Sequence, residues 1–412
     1  MLRFLLTREV AQDPPSTLRR AQNTRATYSL SPSPSFSLKT RHYGAVNALA
    51  VEKVENRYLL SAGADAIINL WDLEASSGGV VDTLSTASLP TTATPSSVKW
   101  WTGDTGMFST THHDHSLLIW DTNTFSTAAR FPLGPEAPIR THAPSAHGGV
   151  NPVIAVALGS PGVRLVDLRT SSAAHTLTSP YSRSGTLDVA WSPRSPHHIA
   201  STHDDGSLRL WDIRRASPLL HTTRAHSSGA TGVEWTSDGG QVVTAGWDGK
   251  MRVWDVEQGR DCVVNFGPWI TNVREDAKGI LTRSPICLPS WAGGRGGEGG
   301  MLVWPGAAGG QVLLFETMTG RLIRRLRPRR RGGGGGGGGR GRVVGIAVRE
   351  GVGGVEVYGG NETGGIEVWG PSLGMEDDEG EVHENVSGSG GGRANVLDEV
   401  YEDATTIPIT MR

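Results

Sequence analysis

Four Trp-Asp pairs, Trp71-Asp72, Trp120-Asp121, Trp211-Asp212 and Trp254-Asp255, each follow an aspartate by six residues. Those aspartates, Asp65, Asp114, Asp205 and Asp248, are each preceded four residues earlier by a hydroxyl side chain: Ser61, Thr110, Ser201 and Thr244. Self-similarity at a fixed period limits a chain to an array of small units, because one such unit cannot bury its own hydrophobic face and must stack on its neighbours. Trp71 to Trp120 spans 49 residues and Trp211 to Trp254 spans 43, but Trp120 to Trp211 spans 91. A repeat without its tryptophan therefore lies between, its strand ending at Val166-Asp167-Leu168. The 115 residues from Trp254 to Trp369 hold two more repeats, with Leu313-Leu314-Phe315-Glu316 near the middle. The count is seven strand ends.

Between these marks the chain reads as short strands, such as Ile67–Leu70, Leu117–Ile119 and Leu208–Leu210, broken by turn chemistry such as Ser237-Asp238-Gly239. Two units also offer a histidine, His42 and His226, 23 and 22 residues before their aspartate. The sets His42, Ser61, Asp65, Trp71 and His226, Thr244, Asp248, Trp254 can each chain hydrogen bonds across one four-stranded blade. Such a buried polar network stabilises only when every member is satisfied. The pattern resembles WD40 repeats from about residue 42 to about residue 370. The resemblance implies an all-β, seven-bladed β-propeller whose last blade borrows a strand from the other end of the chain. Phe36-Ser37-Leu38-Lys39 is the expected outer strand for the blade ending at Trp369, a closure that leaves no free sheet edge.

A propeller of this size uses most of the 412 residues as one domain. The expected organisation is a helical segment over 1–25, a propeller over 35–372 with a Gly/Arg-rich disordered insertion at about 327–342, and an acidic, disordered tail over 373–412. A formal charge of -2 supplies no basic excess for bulk or sequence-specific nucleic-acid binding. Charge is instead segregated: residues 321–342 carry nine arginines and no acid, and 374–403 carry ten acids against Arg393 alone. Two cysteines, Cys262 and Cys287, make no disulfide framework and suit a reducing compartment. No apolar run approaches the roughly eighteen residues of a membrane span, so no membrane partner is expected. Leu2–Leu6, interrupted by Arg3, is too short for a signal-peptide core; the Ser-rich, Arg-bearing start could instead serve as a transit peptide, against which Glu9 and Asp13 count.

Three stretches narrow the resemblance: Asp104–Phe108 followed by Leu117–Thr124; Ala190–Arg194 running on to Leu208–Ser217; and Met1–Leu5 with Arg8, Asp13-Pro14 and Leu18–Ala21. Together they are similar to the Cockayne syndrome group A family, called Rad28 in yeasts. That resemblance implies the substrate receptor of a cullin-4 RING ubiquitin ligase acting in transcription-coupled nucleotide-excision repair. The implied partners are the ligase's damaged-DNA-binding adaptor protein, the Cockayne syndrome B-type ATPase and RNA polymerase II, and the implied location is the nucleus. The last two blades depart from the family pattern, since Trp369 is followed by Gly370 rather than aspartate.

Ile199–Arg214, ending in Trp211-Asp212-Ile213-Arg214, fits the signature of WD40 receptors that dock on this adaptor. An arginine fork at a blade rim can bond a partner carboxylate in bidentate fashion. Val166–Arg169 is a weaker second copy. The N-terminal segment carries Leu2, Leu5, Leu6 and Val10 on one helical stripe with Phe4 beside it, Arg8 following, and Asp13 capping a turn that opens at Pro14. An apolar helix face outside the ring suits a partner's groove, and the family docks on its adaptor with this segment. The adaptor-binding set is thus Leu2, Phe4, Leu5, Leu6, Arg8, Trp211, Asp212 and Arg214.

His112, His113 and His115 crowd around Asp114, and His197, His198 and His203 recur later. They read as polar residues of tight turns rather than metal ligands, because no second cluster with metal spacing accompanies them. No cofactor is expected. Neither a Ser-His-Asp order, a P-loop nor a dinucleotide fingerprint stands out, so a non-catalytic protein is expected. The run Arg324-Arg325-Leu326-Arg327-Pro328-Arg329-Arg330-Arg331 suits an import signal, a phosphate contact or a solvated loop. The alternative to a ligase receptor is a WD40 scaffold that assembles chromatin or signalling complexes.

Overall fold

The computed structural model describes residues 30–33, 38 and 42–371, apart from 75–79, 86–93, 135–137, 150–151, 171, 181–182, 216, 223, 237, 263–265, 267–285, 289–300, 307–309, 318, 329–340 and 352–353. Seven four-stranded antiparallel sheets follow one another in chain order. Blade 1 is β2 (Val46–Val51), β3 (Tyr58–Gly63), β4 (Ile67–Asp72) and β5 (Val80–Ser85). Blade 2 is β6 (Pro95–Trp100), β7 (Met107–His112), β8 (Ser116–Asp121) and β9 (Ser126–Pro132); blade 3 is β10 (Ile139–Pro144), β11 (Val153–Leu158), β12 (Val163–Asp167) and β13 (Ser172–Leu177). Blade 4 is β14 (Thr186–Trp191), β15 (His198–His203), β16 (Leu208–Asp212) and β17 (Pro218–Thr222); blade 5 is β18 (Ala230–Trp235), β19 (Gln241–Gly246), β20 (Met251–Asp255) and β21 (Arg260–Asp261). Blade 6 is β22 (Ile286–Leu288), β23 (Met301–Pro305), β24 (Val312–Glu316) and β25 (Leu322–Leu326); blade 7 is β26 (Val343–Gly351), β27 (Gly354–Asn361), β28 (Ile366–Pro371) and β1 (Leu30–Pro32).

The first strands β2, β6, β10, β14, β18, β22 and β26 are neighbours in that order, and β26 returns to β2, so the sheets form a closed ring. Each apolar cluster lies between adjacent blades; Trp71, for example, packs with Ala347 and Tyr358 of blade 7, and Trp120 with Ala48 and Leu60 of blade 1. A second device ties blades pairwise. Trp100, Trp191 and Trp235 end the first strands of blades 2, 4 and 5, and each indole N–H donates to a carbonyl one blade back: Ala50 (2.9 Å), Ala143 (2.9 Å) and Ala190 (3.1 Å).

The closing strand differs from the one expected. Leu30–Pro32, not Phe36–Lys39, pairs with β28, in the register Leu30↔Pro371, Ser31↔Gly370 and Pro32↔Trp369. The ring's first strand thus lies upstream of the boundary at residue 35. An outer strand needs one inward apolar residue, and Leu30 supplies it beside Trp369, while a proline is tolerated at a sheet edge where its missing N–H is not required. Of the expected strand, Leu38 is buried against Val46 and Tyr358 without being in a strand; Phe36, Ser37 and Lys39 lie outside the described residues. Across the seam, Arg349 of blade 7 bonds the Asn56 carbonyl of blade 1, pairs with Glu356 at 3.1 Å and approaches Glu74 at 3.8 Å.

Arg324, Arg325 and Leu326 belong to the outer strand of blade 6, which corrects the solvated-loop reading for that part of the arginine run. Arg329–Arg331, the glycine octet, the N-terminal segment and the acidic tail lie outside the described residues.

Candidate functional site

Each blade has two rims. Connections between first and second strands and between third and fourth strands share the lower one, where Leu73 N donates to Arg57 O and Ile213 N to His197 O. The second-to-third turns and the links between blades share the upper one, where Ala64 N donates to Ala45 O and Trp247 N to Gly229 O.

In blade 1 the predicted residues meet in one continuous chain. Trp71 Nε1 donates to Ser61 Oγ at 2.8 Å, and Ser61 lies 2.8 Å from His42 Nε2. Asn69 Nδ2 reaches the same nitrogen at 3.1 Å, and His42 Nδ1 lies 3.1 Å from Asp65 Oδ1. The geometry suits Nδ1 donating to the carboxylate and Nε2 accepting, its one lone pair shared between the Ser61 hydroxyl and the Asn69 amide. Blade 5 repeats the chain through Trp254, Thr244, His226 and Asp248 at 2.9, 2.9 and 3.0 Å. Burial alone would raise the Asp248 carboxyl, but the His226 hydrogen bond and charge and the Ser227 and Lys250 amides hold it down at about 2.

Blades 2 and 4 use other residues, and here the turn reading of the histidines is corrected. His112 and His203 are the last residues of β7 and β15, both buried, and their Nε2 atoms lie 2.8 Å from Thr110 Oγ1 and Ser201 Oγ. Those hydroxyls accept the indole N–H of Trp120 and Trp211, each at 2.7 Å. The aspartates are served separately, Asp114 by Arg130 at 3.1 Å and Asp205 by Arg209 at 3.3 Å. Residues i and i+2 of a strand share a face, so Thr-x-His or Ser-x-His was a readable signal. Burial, with the nearby Arg209 charge, pushes His203 down to about 3, so it is neutral. Of the remaining expected turn histidines, His113 and His115 do occupy the second-to-third turn, and His197 precedes β15.

The remaining blades have no such chain. Val156 and Val166 take the two positions in blade 3, Trp304 and Phe315 in blade 6, and Gly359 stands opposite Glu367 in blade 7. Trp304 Nε1 finds no hydrogen-bond partner among the described residues, and Trp369 Nε1 turns to the Arg327 carbonyl at 3.0 Å. Sequence reading also missed His142, buried on β10, whose Nε2 lies 2.8 Å from Ser109 of blade 2 and which burial pushes down to about 3. It missed Asp188 as well, which accepts Val189 N and, one blade on, Val233 N at 2.8 and 2.9 Å; burial raises its carboxyl to about 7 despite those amides.

At the lower rim Trp211 is buried, Asp212 nearly so, and the Arg214 side chain is 63 % exposed. The guanidinium is turned onto its own aspartate: Nε donates to Asp212 Oδ1 at 2.9 Å and Nη2 to Oδ2 at 2.7 Å. That hydrogen bond holds the Asp212 carboxyl well below its usual range. Arg57 grips Asp72 in the same manner in blade 1, at 3.1 and 2.7 Å. The upper rim bears two exposed aromatics, Tyr43 next to His42 and Trp247 across Gly229. Among the described residues no group of three or more His, Cys, Asp or Glu could hold a metal, and no helix is long and apolar enough to cross a membrane.

The family model for the WD domain, G-beta repeat, matches residues 173–212 and 217–255, from the outer strand of blade 3 through the third strand of blade 5. The chain is a seven-bladed WD40-repeat propeller. This WD40 propeller is 27% identical to WD repeat-containing protein ATCSA-1 of Arabidopsis thaliana, over 55% of its own length and 69% of that protein's. It is 25% identical to Radiation-sensitive protein 28 of Saccharomyces cerevisiae over 38% of its own length and 37% of the relative's. It is 36% identical to the Peroxisomal targeting signal 2 receptor of Mus musculus over 17% and 23% respectively. The WD40 propeller thus spans well under two thirds of the latter two relatives.

Proposed function

We propose that this propeller is the substrate-recognition subunit of a cullin-4 RING ubiquitin ligase in transcription-coupled nucleotide-excision repair, located in the nucleus. The observation that carries the reading is the similarity to ATCSA-1 over more than half of the chain, together with that to Radiation-sensitive protein 28. The ring offers partner surfaces and, among the described residues, no metal-ligand cluster. Docking on the damaged-DNA-binding adaptor uses Leu2, Leu5 and Leu6 of the N-terminal stripe with Phe4 beside them and Arg8 following, aided at the lower rim by Arg214 on its Trp211-Asp212 base. Because Asp212 already holds the fork, Arg214 contributes the rest of an exposed guanidinium rather than a fresh bidentate pair. The upper rim, with Tyr43 and Trp247, suits substrates or repair factors such as the B-type ATPase and RNA polymerase II, since Trp and Tyr are enriched at interfaces. The mechanism is proximity: a receptor raises the effective concentration of a target lysine near a charged conjugating enzyme.

A pull-down of purified adaptor by the full chain, by the chain lacking residues 1–20 and by Arg214→Ala tests this, with circular dichroism of each. The expected outcome is binding by the full chain, loss on truncation with an intact β spectrum, and a weakening of about tenfold for Arg214→Ala. No binding by the full chain would overturn the ligase reading and leave the WD40 scaffold.

A further inference from the structure

Blade 4 holds the fully buried arginine of the described residues. Arg209, on β16, stands opposite Ser201 and His221 with a relative exposure of 0%. Only its Nη2 is engaged, donating to Ser184 Oγ at 3.0 Å and to Asp205 Oδ2 at 3.3 Å. Nε and Nη1 have no hydrogen-bond partner among the described residues. The equivalent position is Asn69 in blade 1, bonded to both His42 and Thr83, and Leu118 in blade 2, which needs no partner. In blade 5 it is Arg252, about a third exposed and paired with Asp261 at 2.9 Å. A buried guanidinium with two idle donors is a site prepared for more acceptors than it has.

The idle atoms flank the bonded one. Nη2 shares one edge of the guanidinium with Nε and the other with Nη1. Whichever hydrogen of Nη2 reaches Ser184, an open N–H lies beside it on the same edge. A hydroxyl oxygen cannot use both; a phosphate built on that oxygen can. Ser184 lies in the link from blade 3 to blade 4, half-buried and next to exposed Arg183, while Arg209 itself is closed to any free ligand.

We propose that Ser184 is a phosphorylation site and that Arg209 reads the phosphate. A protein kinase transfers the γ-phosphoryl group of ATP to Ser184 Oγ, the hydroxyl proton passes to the kinase's base, and ADP leaves. The new oxygens take Nη2 and its neighbouring N–H as a bidentate pair. Asp205, which accepts Nη2 at 3.3 Å, is the competitor, and Asp204 opposes the new charge from the same turn. Asp205 also caps that turn through Ser207 N at 3.0 Å, so its displacement from Arg209 loosens residues 204–207 on the upper rim. The modification is therefore a switch on the upper rim of blade 4, whatever partner sits there.

Phosphoserine installed at residue 184 of the full chain, followed by phosphorus NMR across pH, tests the reader. The second ionisation of phosphoserine lies near about 6, and the expected result is a titration about one pH unit lower in the folded chain than in a peptide of residues 180–188 carrying the same group. Arg209→Met should return it to the peptide value and Arg209→Lys should fall between. Titration of the folded chain with the peptide would overturn the proposal, and that comparison needs no variant to fold. For the modification itself, the full chain made in eukaryotic cells under phosphatase inhibition should carry phosphate on the Ser184 peptide by mass spectrometry; an unmodified Ser184 beside phosphorylated serines elsewhere in the same chain would overturn it.

Discussion

Blades 1 and 5 and blades 2 and 4 hold the same tryptophan in the same place by different means, and two positions separate the pairs: the upstream histidine, His42 or His226, present only in the first, and the residue two beyond the hydroxyl. Two positions beyond the hydroxyl stands Gly63 or Gly246 in the first pair and His112 or His203 in the second. A Cβ on Gly63 would lie 2.4 Å from His42 Nδ1, and one on Gly246 2.5 Å from His226 Nδ1. The glycine is the space into which the upstream histidine enters, joining tryptophan to aspartate. Where a histidine occupies that space it bonds the hydroxyl itself, and the aspartate is left to an arginine. One pair of blades therefore has an unbroken hydrogen-bonded chain, and the other has it cut in two.

The largest expected effect separating the two kinds is acid sensitivity. His203 has a folded-state pKa of about 3, below its unfolded value, so its contribution is fully present above about 6.5 and is lost as pH falls toward 3. Buried His142, at the seam of blades 2 and 3, behaves alike. Each should cost about 1.4 kcal/mol per pH unit within that window. Asp248 of blade 5, depressed to about 2, loses its contribution only from about 3.8 downward. Hydrogen exchange at pH 5 should therefore show blades 2 and 3, joined at His142, opening before blade 5, whereas in blade 4 the Asp188 carboxyl, raised to about 7, gains stability on acidification and offsets His203; equal opening of blades 2, 3 and 5 would remove the distinction.

Next in size is the glycine rule. Gly246→Ala should destabilise by about 1–3 kcal/mol through the displaced His226 ring, read by urea unfolding. Gly246→His combined with His226→Ala rebuilds the arrangement of blade 4 and should be more stable than either single change. A double variant no better than Gly246→His would show that more than these two positions separates the two kinds. Smallest is the coupling between the ends of each chain. Trp254→Phe and Asp248→Asn communicate through His226 and should interact by about 0.5 kcal/mol or more in a double-mutant cycle. Trp120→Phe and Asp114→Asn, on separate halves, should add to within about 0.5 kcal/mol. Equal coupling in both cycles would deny the cut.

Much of this architecture was legible. Val166 and Phe315 stand on third strands where spacing alone put them, although neither is a tryptophan, because a propeller can lose a polar chain and keep its apolar packing. The closing strand was not legible: Leu30-Ser31-Pro32 is too short to show alternation, and what selects it is the pocket beside Trp369. His112 and His203 each sit one residue before a turn, where sequence favours the turn reading and burial decides otherwise. Arg214 was legible as a rim arginine, but not that its fork would be taken by Asp212.

The sequence by itself determined the number of blades, their strand order and the residue on which each hydroxyl–tryptophan bond forms, because these depend on spacings within one repeat. Only the tertiary structure decided which histidine completes each blade, which strand closes the ring and which cation is left buried with idle donors. Those outcomes depend on how much room neighbouring strands leave and on contacts between residues far apart in the chain, such as Leu30 with Pro371 and Arg349 with Asn56. Periodicity is local, whereas closure and burial belong to the assembled ring.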